Sequence, residues 1–260
     1  MATPGMEPRG ADGVPLSRRE ALLSAVPGFG AVRGEALSEL ASRMQVERFS
    51  VGGVVVAEGA LGDRLYVVVE GRVEVSVQGN DKRIPLATLG AGEMFGEIAL
   101  LTASRLRSAT VTARTPLVAL SLAQRELDAV LVEYPQAEVT LQATSEARLV
   151  AKFLKQVSHF ATLPPGRTSW LAMRLASLNV EPGNIIVWQG ERGDTCYLIR
   201  GGNVEVLLKD ATIGIERQIA MLGVGALFGE AALLTDAPRN ATVRALERCQ
   251  LLRLRRGDLL

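Results

Sequence analysis

Short apolar runs separated by glycines dominate the first half of the chain. Four runs are rich in β-branched residues, which is typical of strands: Val54–Val56, Leu65–Val69, Val73–Val77 and Ile84–Leu89. Glycines that suit turns with positive φ lie beside these runs, at Gly53, Gly59, Gly71 and Gly90. Closely spaced short strands with glycines at their corners predict a small antiparallel roll.

Apolar residues at helical spacing lie on both sides of these strands. The spacing predicts one helix over Glu35–Met44 before the roll and two helices after it, over Ala123–Val132 and Glu138–Phe160. The segment Leu163–Gly166 contains two prolines and ends the last helix, because proline breaks a helix interior.

The second half of the chain repeats the first. Five residues recur 131 positions later: Gly59, Asp63, Tyr66, Gly71 and Glu74 return as Gly190, Asp194, Tyr197, Gly202 and Glu205. Two further blocks recur at displacements of 133 and 132, Phe95–Glu97 as Phe228–Glu230 and Arg107–Thr110 as Arg239–Thr242. Two copies are too few for a solenoid. We therefore expect a mainly β chain with flanking helices, built from two double-stranded β-helix (jelly-roll-like) domains.

The pattern divides the chain into three segments. Residues 1–16 are rich in Pro, Gly and Ala and predict a disordered tail, residues 17–155 the first domain with its helices, and residues 156–260 the second domain. Leu127 of the first copy corresponds to Leu259, yet the first copy continues through further helical pattern. We therefore expect that the C-terminal helices of the second domain are missing and that the chain is a fragment of a longer protein.

Composition excludes several classes of function. The 260 residues have a net charge of +1, which gives no broad basic field for a nucleic acid. No run approaches the ~20 apolar residues of a membrane-spanning helix, and the N-terminus has no signal peptide. The two cysteines, Cys196 and Cys249, fit a reducing, cytoplasmic setting. His159 is the single histidine, and no nucleophile has a paired base, so we expect no metal, no cofactor and no enzyme activity.

The most informative motif lies in the second copy, where residues 228–242 read Phe-Gly-Glu-Ala-Ala-Leu-Leu-Thr-Asp-Ala-Pro-Arg-Asn-Ala-Thr. Together with Val187–Asp194, this string resembles the phosphate-binding cassette of the cyclic-nucleotide-binding family. That family includes the regulatory subunits of cyclic-AMP-dependent protein kinase, the catabolite activator proteins and cyclic-nucleotide-gated channels. The resemblance covers both halves of the chain and implies that the ligand is a cyclic nucleoside monophosphate.

The residue types of this cassette suit such a ligand. A short helix beginning near Gly229 or Glu230 offers free backbone N–H groups and the positive end of its dipole to a phosphate, and Gly229 lets the ligand come close. Arg239 supplies a planar fork for two phosphate oxygens. Glu230 accepts a hydrogen bond from the ribose 2′-hydroxyl and so excludes deoxyribose. The expected ligand-binding residues of the second copy are Gly229, Glu230, Ala232, Arg239, Asn240 and Ala241.

The first copy has one extra residue between its glutamate and its arginine. Counting forward from Glu97 by the spacing of the second copy reaches Leu106, whereas counting back from Ala109 and Thr110 reaches Arg107. We assign Arg107 to the phosphate, with Arg105 as the alternative. The insertion leaves open a degenerate first site. The residues expected to bind ligand are Gly96, Glu97, Ala99, Arg107, Ser108 and Ala109.

Selectivity and the cover of the site are less constrained by sequence. Ser108 and Asn240 follow the two arginines. In the family, a hydroxyl at this position is linked to guanine recognition in some members and contacts phosphate in others. Because cyclic AMP is the more frequent ligand of the family, we expect cyclic AMP and keep cyclic GMP open. Leu149, Val150 and Phe153 are candidates for a lid over the first site, although apolar residues at helical spacing are commonly core. Alignment with the family places Trp170 in the core or an interface.

The expected function is that of a sensor, in which the bound nucleotide moves the flanking helices and so controls an effector domain or subunit that follows this chain in a longer protein. The alternative is a degenerate module with a structural or protein-interaction role and no ligand. The segment Arg18–Leu22 resembles a kinase pseudosubstrate but also a helix start after Ser17 as N-cap residue, and we favour the helix.

Overall fold

The computed structural model describes residues 13–79, 82–157, 160–209, 214–231, 235 and 237–258. Ala232, His159 and Leu259, which were singled out above, and residues 1–12 of the predicted tail lie outside this description. The chain forms two compact units, Met1–Lys152 and Phe153–Leu260. Helix α5 (Pro135–Gln156) begins in the first unit and ends in the second.

Helices surround the strands of the first unit. Their bounds, with a short 3-10 turn at Phe29–Ala31, are α1 Leu16–Ala25, α2 Gly34–Arg43, α3 Glu97–Leu101 and α4 Gln124–Glu133. The three helices predicted from spacing are confirmed as α2, α4 and α5. Helix α5 begins earlier than predicted, at Pro135, because a proline fits the first helical position, where its missing N–H leaves no bond unmade. It also ends earlier than predicted, at Gln156 instead of Phe160, so the prediction that Leu163–Gly166 ends it is wrong. Pro165 is instead the first residue of the next helix, for the same reason as Pro135.

The strands of the first unit form two antiparallel sheets. Their bounds are β1 Gln45–Phe49, β2 Val54–Val56, β3 Arg64–Glu70, β4 Val73–Gln78, β5 Arg83–Leu89, β6 Met94–Phe95, β7 Thr110–Ala113 and β8 Leu117–Ala123. The strand orders are β1-β8-β3-β6 and β2-β7-β4-β5. The four predicted strands are confirmed as β2, β3, β4 and β5.

The second unit repeats this topology. It contains helix α6 Pro165–Ala172 and the strands β9 Ala176–Val180, β10 Ile185–Val187, β11 Thr195–Gly201, β12 Val204–Lys209, β13 Glu216–Leu222, β14 Leu227–Phe228, β15 Thr242–Ala245 and β16 Cys249–Arg255, followed by a 3-10 turn at Arg256–Asp258. The sheets have the orders β14-β11-β16-β9 and β10-β15-β12-β13. The sheet β10-β15-β12-β13 corresponds strand by strand to β2-β7-β4-β5, and the sheet β14-β11-β16-β9 corresponds to β1-β8-β3-β6 read in reverse. The fold class expected from the repeat is therefore confirmed.

The continuous apolar run of β3 reflects burial on both faces of its sheet. Leu65, Val67 and Val69 pack in a cluster with residues of the helices, whereas Tyr66 and Val68 pack between the two sheets. Because successive strand residues point to opposite faces, a strand covered on both sides needs apolar residues throughout. Burial of each such aliphatic side chain contributes about 1.5–3 kcal/mol.

The N-terminal helix differs from the prediction in its first residues. Helix α1 begins at Leu16 after Pro15, so the prediction of Ser17 as its N-cap residue is wrong. Arg19 is buried and donates from Nη1 to the Met44 carbonyl at 2.8 Å and from Nε to the Val14 carbonyl at 3.1 Å. Val14 is also buried, so packed structure extends into the segment predicted as a tail. The helical interpretation of this segment is confirmed.

None of the helices in the described ranges is long and apolar enough to cross a membrane. The same ranges contain no group of three or more His, Cys, Asp or Glu side chains placed to hold a metal ion.

Candidate functional site

In the second unit, the cassette begins where β14 ends. The ring of Phe228 stacks on Tyr197 of β11 with centroids 5.2 Å apart, which fixes the end of the strand. Gly229 then takes a positive φ of 75°. A Cβ atom at this position would lie 2.6 Å from Nη1 of Arg239 and 3.1 Å from the Thr195 carbonyl oxygen. Glycine is therefore required by both backbone conformation and space, and the group that approaches it most closely is the guanidinium of Arg239.

Arg239 is buried and held by fixed acceptors. Its Nη1 donates to the Gly229 carbonyl at 3.0 Å, and its Nη2 donates to the Thr195 carbonyl at 2.7 Å and to Thr195 Oγ1 at 2.9 Å. A Cβ at Gly193 would lie 2.5 Å from Nη2, so a second glycine makes room for the guanidinium. The planar guanidinium is thus held in one orientation by acceptors of the protein itself.

A cavity of about 250 Å³ opens beside this arginine. It joins cassette residues to apolar side chains of the sheet, and its wall contains Val187, Val206, Leu222, Leu227, Phe228, Gly229, Glu230, Ala231, Ala237, Pro238, Arg239, Asn240, Ala241 and Val243. Five of the six residues predicted to bind ligand in this unit line it. An apolar cavity with a few polar groups on one side is the usual form of a small-molecule site.

The first unit holds its arginine in the same way. Nη1 of Arg107 donates to the carbonyls of Arg64 and Gly96, both at 2.9 Å. The backbone N–H of Arg107 bonds to the Ala60 carbonyl at 2.8 Å, as that of Arg239 bonds to Glu191. These contacts make Arg107 the counterpart of Arg239.

The alternative assignment, Arg105, is exposed and has a φ of +54°. Its amide N–H bonds to the Thr102 carbonyl at 3.1 Å, and its own carbonyl accepts from Gly62 at 2.8 Å. The extra residue of the first cassette is therefore accommodated in this left-handed turn, which leaves the position of Arg107 unchanged.

The two sites differ at the residue that follows the shared aspartate. In the second unit the hydroxyl oxygen of Thr195 accepts a hydrogen bond from Arg239, whereas the counterpart of Thr195 in the first unit is Arg64. The Arg64 side chain pairs with Asp63 and with Glu47, each at 3.2 Å. Its hydrogen bond to Asp63 lowers the pKa of that carboxyl, more than burial raises it. The first site thus carries an additional cation and lacks the hydroxyl contact.

Glu97 begins helix α3 directly after Gly96, and its side chain is buried. Its Oε1 accepts a 2.6 Å hydrogen bond from Nη1 of Arg148 in α5, which also donates to the Met94 carbonyl at 2.9 Å. Glu97 Oε2 is buried and has no hydrogen-bond partner in the part of the chain that the structure describes. One oxygen of this carboxylate is therefore occupied by α5 and the other is left for a further donor.

One helical turn after Arg148, Lys152 contacts the other end of the cassette. Its Nζ donates to the Ser108 carbonyl at 2.6 Å and to Oε1 of Glu58 at 3.0 Å. Helix α5 is thus bonded to the cassette at its glutamate and next to its arginine. Ala99 and Ala109, also predicted here, are both buried.

Sequence reasoning missed Arg148 and Lys152 because it looked for an apolar lid. Val150, one of the apolar candidates, is fully buried, and Leu149 is half-buried. Arg148 and Lys152 lie four positions apart, on one face of the predicted helix, and this spacing was the sequence signal that could have indicated a polar contact surface. In the second unit, Trp170 is half-buried and the guanidinium of Arg174 lies 4.0 Å from its ring centroid.

The comparisons with known proteins agree with this geometry. A family model described as "Cyclic nucleotide-binding domain" matches residues 46–134 and 177–260. The cAMP-dependent protein kinase regulatory subunit of Yarrowia lipolytica is 35% identical over 84% of this chain and 53% of its own length. The cGMP-dependent protein kinase egl-4 of Caenorhabditis briggsae is 35% identical over 81% of this chain and 26% of its length.

Among solved structures, the regulatory domain of Toxoplasma gondii PKA with cAMP is 25% identical, covers 94% of this chain and 90% of its own, and has a TM-score of 0.45. The chain spans about half the length of the first of the curated relatives. Because the family model matches two separate ranges that together make up most of the sequence, this chain belongs to the cyclic nucleotide-binding domain family and carries two such domains in tandem.

Proposed function

We propose that this chain is a sensor for a cyclic nucleoside monophosphate, which binds at both cassettes and changes how the flanking helices are held. The observation that carries the proposal is the repeated placement of Arg107 and Arg239. Each guanidinium is buried, is bonded to two backbone carbonyls and adjoins a Gly-Glu pair at the start of the cassette.

The electrostatics of these arginines favour a bound anion. Burial lowers the pKa of Arg107, because a desolvated guanidinium has lost the water that stabilises its charge. A singly charged phosphodiester would return that stabilisation through charge-assisted hydrogen bonds to the fork. We infer that the exocyclic phosphate oxygens bind Arg239 in the second unit and Arg107 in the first.

The glutamates supply recognition of the sugar. Glu230 is exposed and lines the cavity, whereas Glu97 is buried with Oε2 available. A ribose 2′-hydroxyl donates to a carboxylate oxygen, and a 2′-deoxy sugar has nothing to donate. The proposed roles are thus phosphate binding by arginine and ribose binding by glutamate.

Helix α5 provides the proposed link from ligand to output. Arg148 and Lys152 hold the cassette of the first unit from this helix, so a ligand that fixes Glu97 and the segment near Ser108 favours the docked position of α5. We propose that the helix controls an effector outside these 260 residues. The names of the relatives, regulatory subunits and kinases that contain such domains, favour a protein kinase as that effector.

Cyclic AMP is the proposed ligand and cyclic GMP the alternative. Relatives named for each nucleotide are 35% identical to this chain. Ser108, half-buried beside Arg107, supplies a hydroxyl at the position linked to guanine in some family members, and Asn240 does not. The two sites are therefore best titrated with both nucleotides.

Calorimetry tests the proposal. We expect saturable heat with cyclic AMP or cyclic GMP and its loss in the double variant Arg107→Lys/Arg239→Lys. The control makes the same change at two arginines that are paired with glutamates outside the cassettes, Arg114→Lys/Arg244→Lys, and should bind as the wild type does. Absence of heat and of thermal stabilisation at millimolar nucleotide would instead support a degenerate interaction module.

A further inference from the structure

Helices α2 and α4 of the first unit border a groove of about 160 Å³ that the nucleotide sites do not use. Its wall is formed by Val32, Ala36, Glu39, Leu40, Arg43, Glu126, Ala129, Val130, Glu133 and Tyr134. No residue of the first cassette lines it. The groove is therefore a separate feature of the helical layer.

The floor of the groove is apolar and has room for one side chain. Val32 and Leu40 are buried, and the small side chains of Ala36 and Ala129 leave the space open. An apolar cavity of roughly 150 Å³ is enough to bind benzene. The groove thus matches a leucine or phenylalanine side chain in size.

The rim of the groove carries an excess of negative charge. Three of its lining residues are acidic, Glu39, Glu126 and Glu133, and Arg43 is the one cation among them. Arg43 contacts Glu39 at 2.5 Å between Nη2 and Oε1, and the four charged lining residues together carry two net negative charges. A cationic ligand complements this rim.

Glu126 has a buried oxygen that lacks a donor. Its Oε1 accepts from Nε of Arg125 at 2.5 Å, but Arg125 is 89% exposed. Oε2 of Glu126 is buried and has no hydrogen-bond partner within the described ranges. Because an unsatisfied buried acceptor costs stability, a donor that reaches Oε2 would gain a hydrogen bond that the described residues do not supply.

We propose that this α2–α4 groove binds a basic peptide segment of a partner protein, which places one apolar side chain on the floor and a guanidinium or ammonium group against Glu126 and Glu133. The apolar contact supplies burial, and the charges orient the segment. The site is independent of whether a nucleotide binds to the cassettes.

Fluorescence anisotropy with the whole 260-residue chain tests the site. The probe is a labelled peptide Arg-Leu-Phe-Arg-Arg-Leu, and the reference probe has Glu in place of each Arg. We expect the basic probe to bind at least about tenfold more tightly, with an affinity that falls as salt is added. Equal affinity for the two probes would overturn the proposal.

Variants locate the binding. Glu126→Gln/Glu133→Gln should weaken the basic probe about tenfold, and Ala129→Leu, which fills the floor without altering charge, should also abolish tight binding. Glu35→Gln removes one negative charge from an exposed part of α2 outside the groove, against two in the double variant, and should leave the affinity unchanged. Equal weakening by Glu35→Gln, or none from the groove variants, would show non-specific attraction and reject the site. Urea denaturation of each variant reports whether the first unit is folded, and nucleotide titration reports separately whether the proposed sensor function holds.

Discussion

Glu97 and Arg148 lie 51 positions apart in the sequence and are joined by a 2.6 Å hydrogen bond between Oε1 and Nη1, with Glu97 almost fully buried. The bond connects the first turn of the cassette helix to α5. Buried carboxylates are stable when they are paired, and removal of one partner leaves an uncompensated charge. This single contact therefore serves both stability and the proposed coupling.

Arg148→Ala should destabilise the first unit and weaken its ligand site. The side chain of Arg148 is 35% exposed, so solvent screens part of the effect, and we expect a loss of about 1–3 kcal/mol in the free energy of unfolding. Urea denaturation with and without cyclic AMP measures both quantities. Arg114→Ala, which breaks an exposed pair with Glu74, is the control and should change neither by more than about 0.5 kcal/mol. A wild-type denaturation midpoint in Arg148→Ala would show that Glu97 needs no partner.

Arg239→Lys should weaken the second site by about tenfold to hundredfold. Lysine keeps the charge but cannot bond the Gly229 and Thr195 carbonyls and two phosphate oxygens with one planar group. The matched control is Arg244→Lys, the same replacement at an arginine paired with Glu205. Calorimetric titration measures the nucleotide affinity of both variants. Unchanged affinity in Arg239→Lys would show that this residue does not bind the phosphate.

The two cassette glutamates should control discrimination against the 2′-deoxy nucleotide. The wild type is expected to prefer the ribonucleotide by about tenfold to hundredfold, the value of one hydrogen bond to a charged group. Glu230→Gln should reduce this preference in the second unit, and Glu97→Gln should reduce it in the first. Glu181→Gln, at an exposed pair with Arg248, is the control. Discrimination that survives both cassette changes would reject the role of these carboxylates in binding ribose.

A matched pair of glycine substitutions separates backbone strain from the space needed by arginine. Gly229 and Gly190 have similar positive φ values, 75° and 84°, but a Cβ at Gly229 meets Arg239 whereas one at Gly190 meets nothing within 4 Å. Both alanine variants should lose about 1–2 kcal/mol through backbone strain. Only Gly229→Ala should also displace the guanidinium and weaken nucleotide binding about tenfold or more. Equal binding by the two variants would mean that the contact with Arg239 is dispensable.

Much of the architecture could be predicted because the signals were local or repeated. Blocks such as Phe95–Glu97 and Phe228–Glu230 recur at nearly the same displacement along the chain, which identified two copies. The β-branched runs predicted the strands. The run 65–69 is apolar throughout because both faces of β3 are buried, which a short apolar run in isolation cannot distinguish from a helix. The surrounding glycines resolved that ambiguity.

The contacts that complete the first site depended on tertiary structure. Lys152 reaches Glu58 across 94 positions, so the spacing of Arg148 and Lys152 could indicate a polar face of the helix but not the residues that this face contacts. Arg105 absorbs the inserted residue through a positive φ, although arginine has no preference for that conformation. The exchange of Thr195 for Arg64 was visible in the repeat, but its meaning needed the position of Arg239 relative to the hydroxyl.

Cys196 offers a test of burial beneath the second cassette. Desolvation and, to a smaller extent, the nearby charge of Glu230 raise the pKa of its thiol to about 11. Since the thiolate is the reactive form, alkylation by iodoacetamide at pH 8 should be about 100-fold slower than for a thiol of ordinary pKa. The measurement uses the variant Cys249→Ser, so that Cys196 is the reacting thiol, and compares native protein with protein in urea.

The raised pKa of Cys196 also determines how the free energy of unfolding changes with pH. The folded pKa of Cys196 lies above the value of 9.0 for an unperturbed thiol, so the unfolded chain loses its proton first as the pH rises. The contribution to stability is complete below pH 9 and is lost progressively between pH 9 and about 11. Cys196→Ala removes this titration and should flatten the pH dependence of the urea midpoint in that window. Rapid alkylation of native Cys196, or identical pH profiles for the two proteins, would show that the thiol is open to solvent and that the cassette packs less closely on β11 than the structure describes.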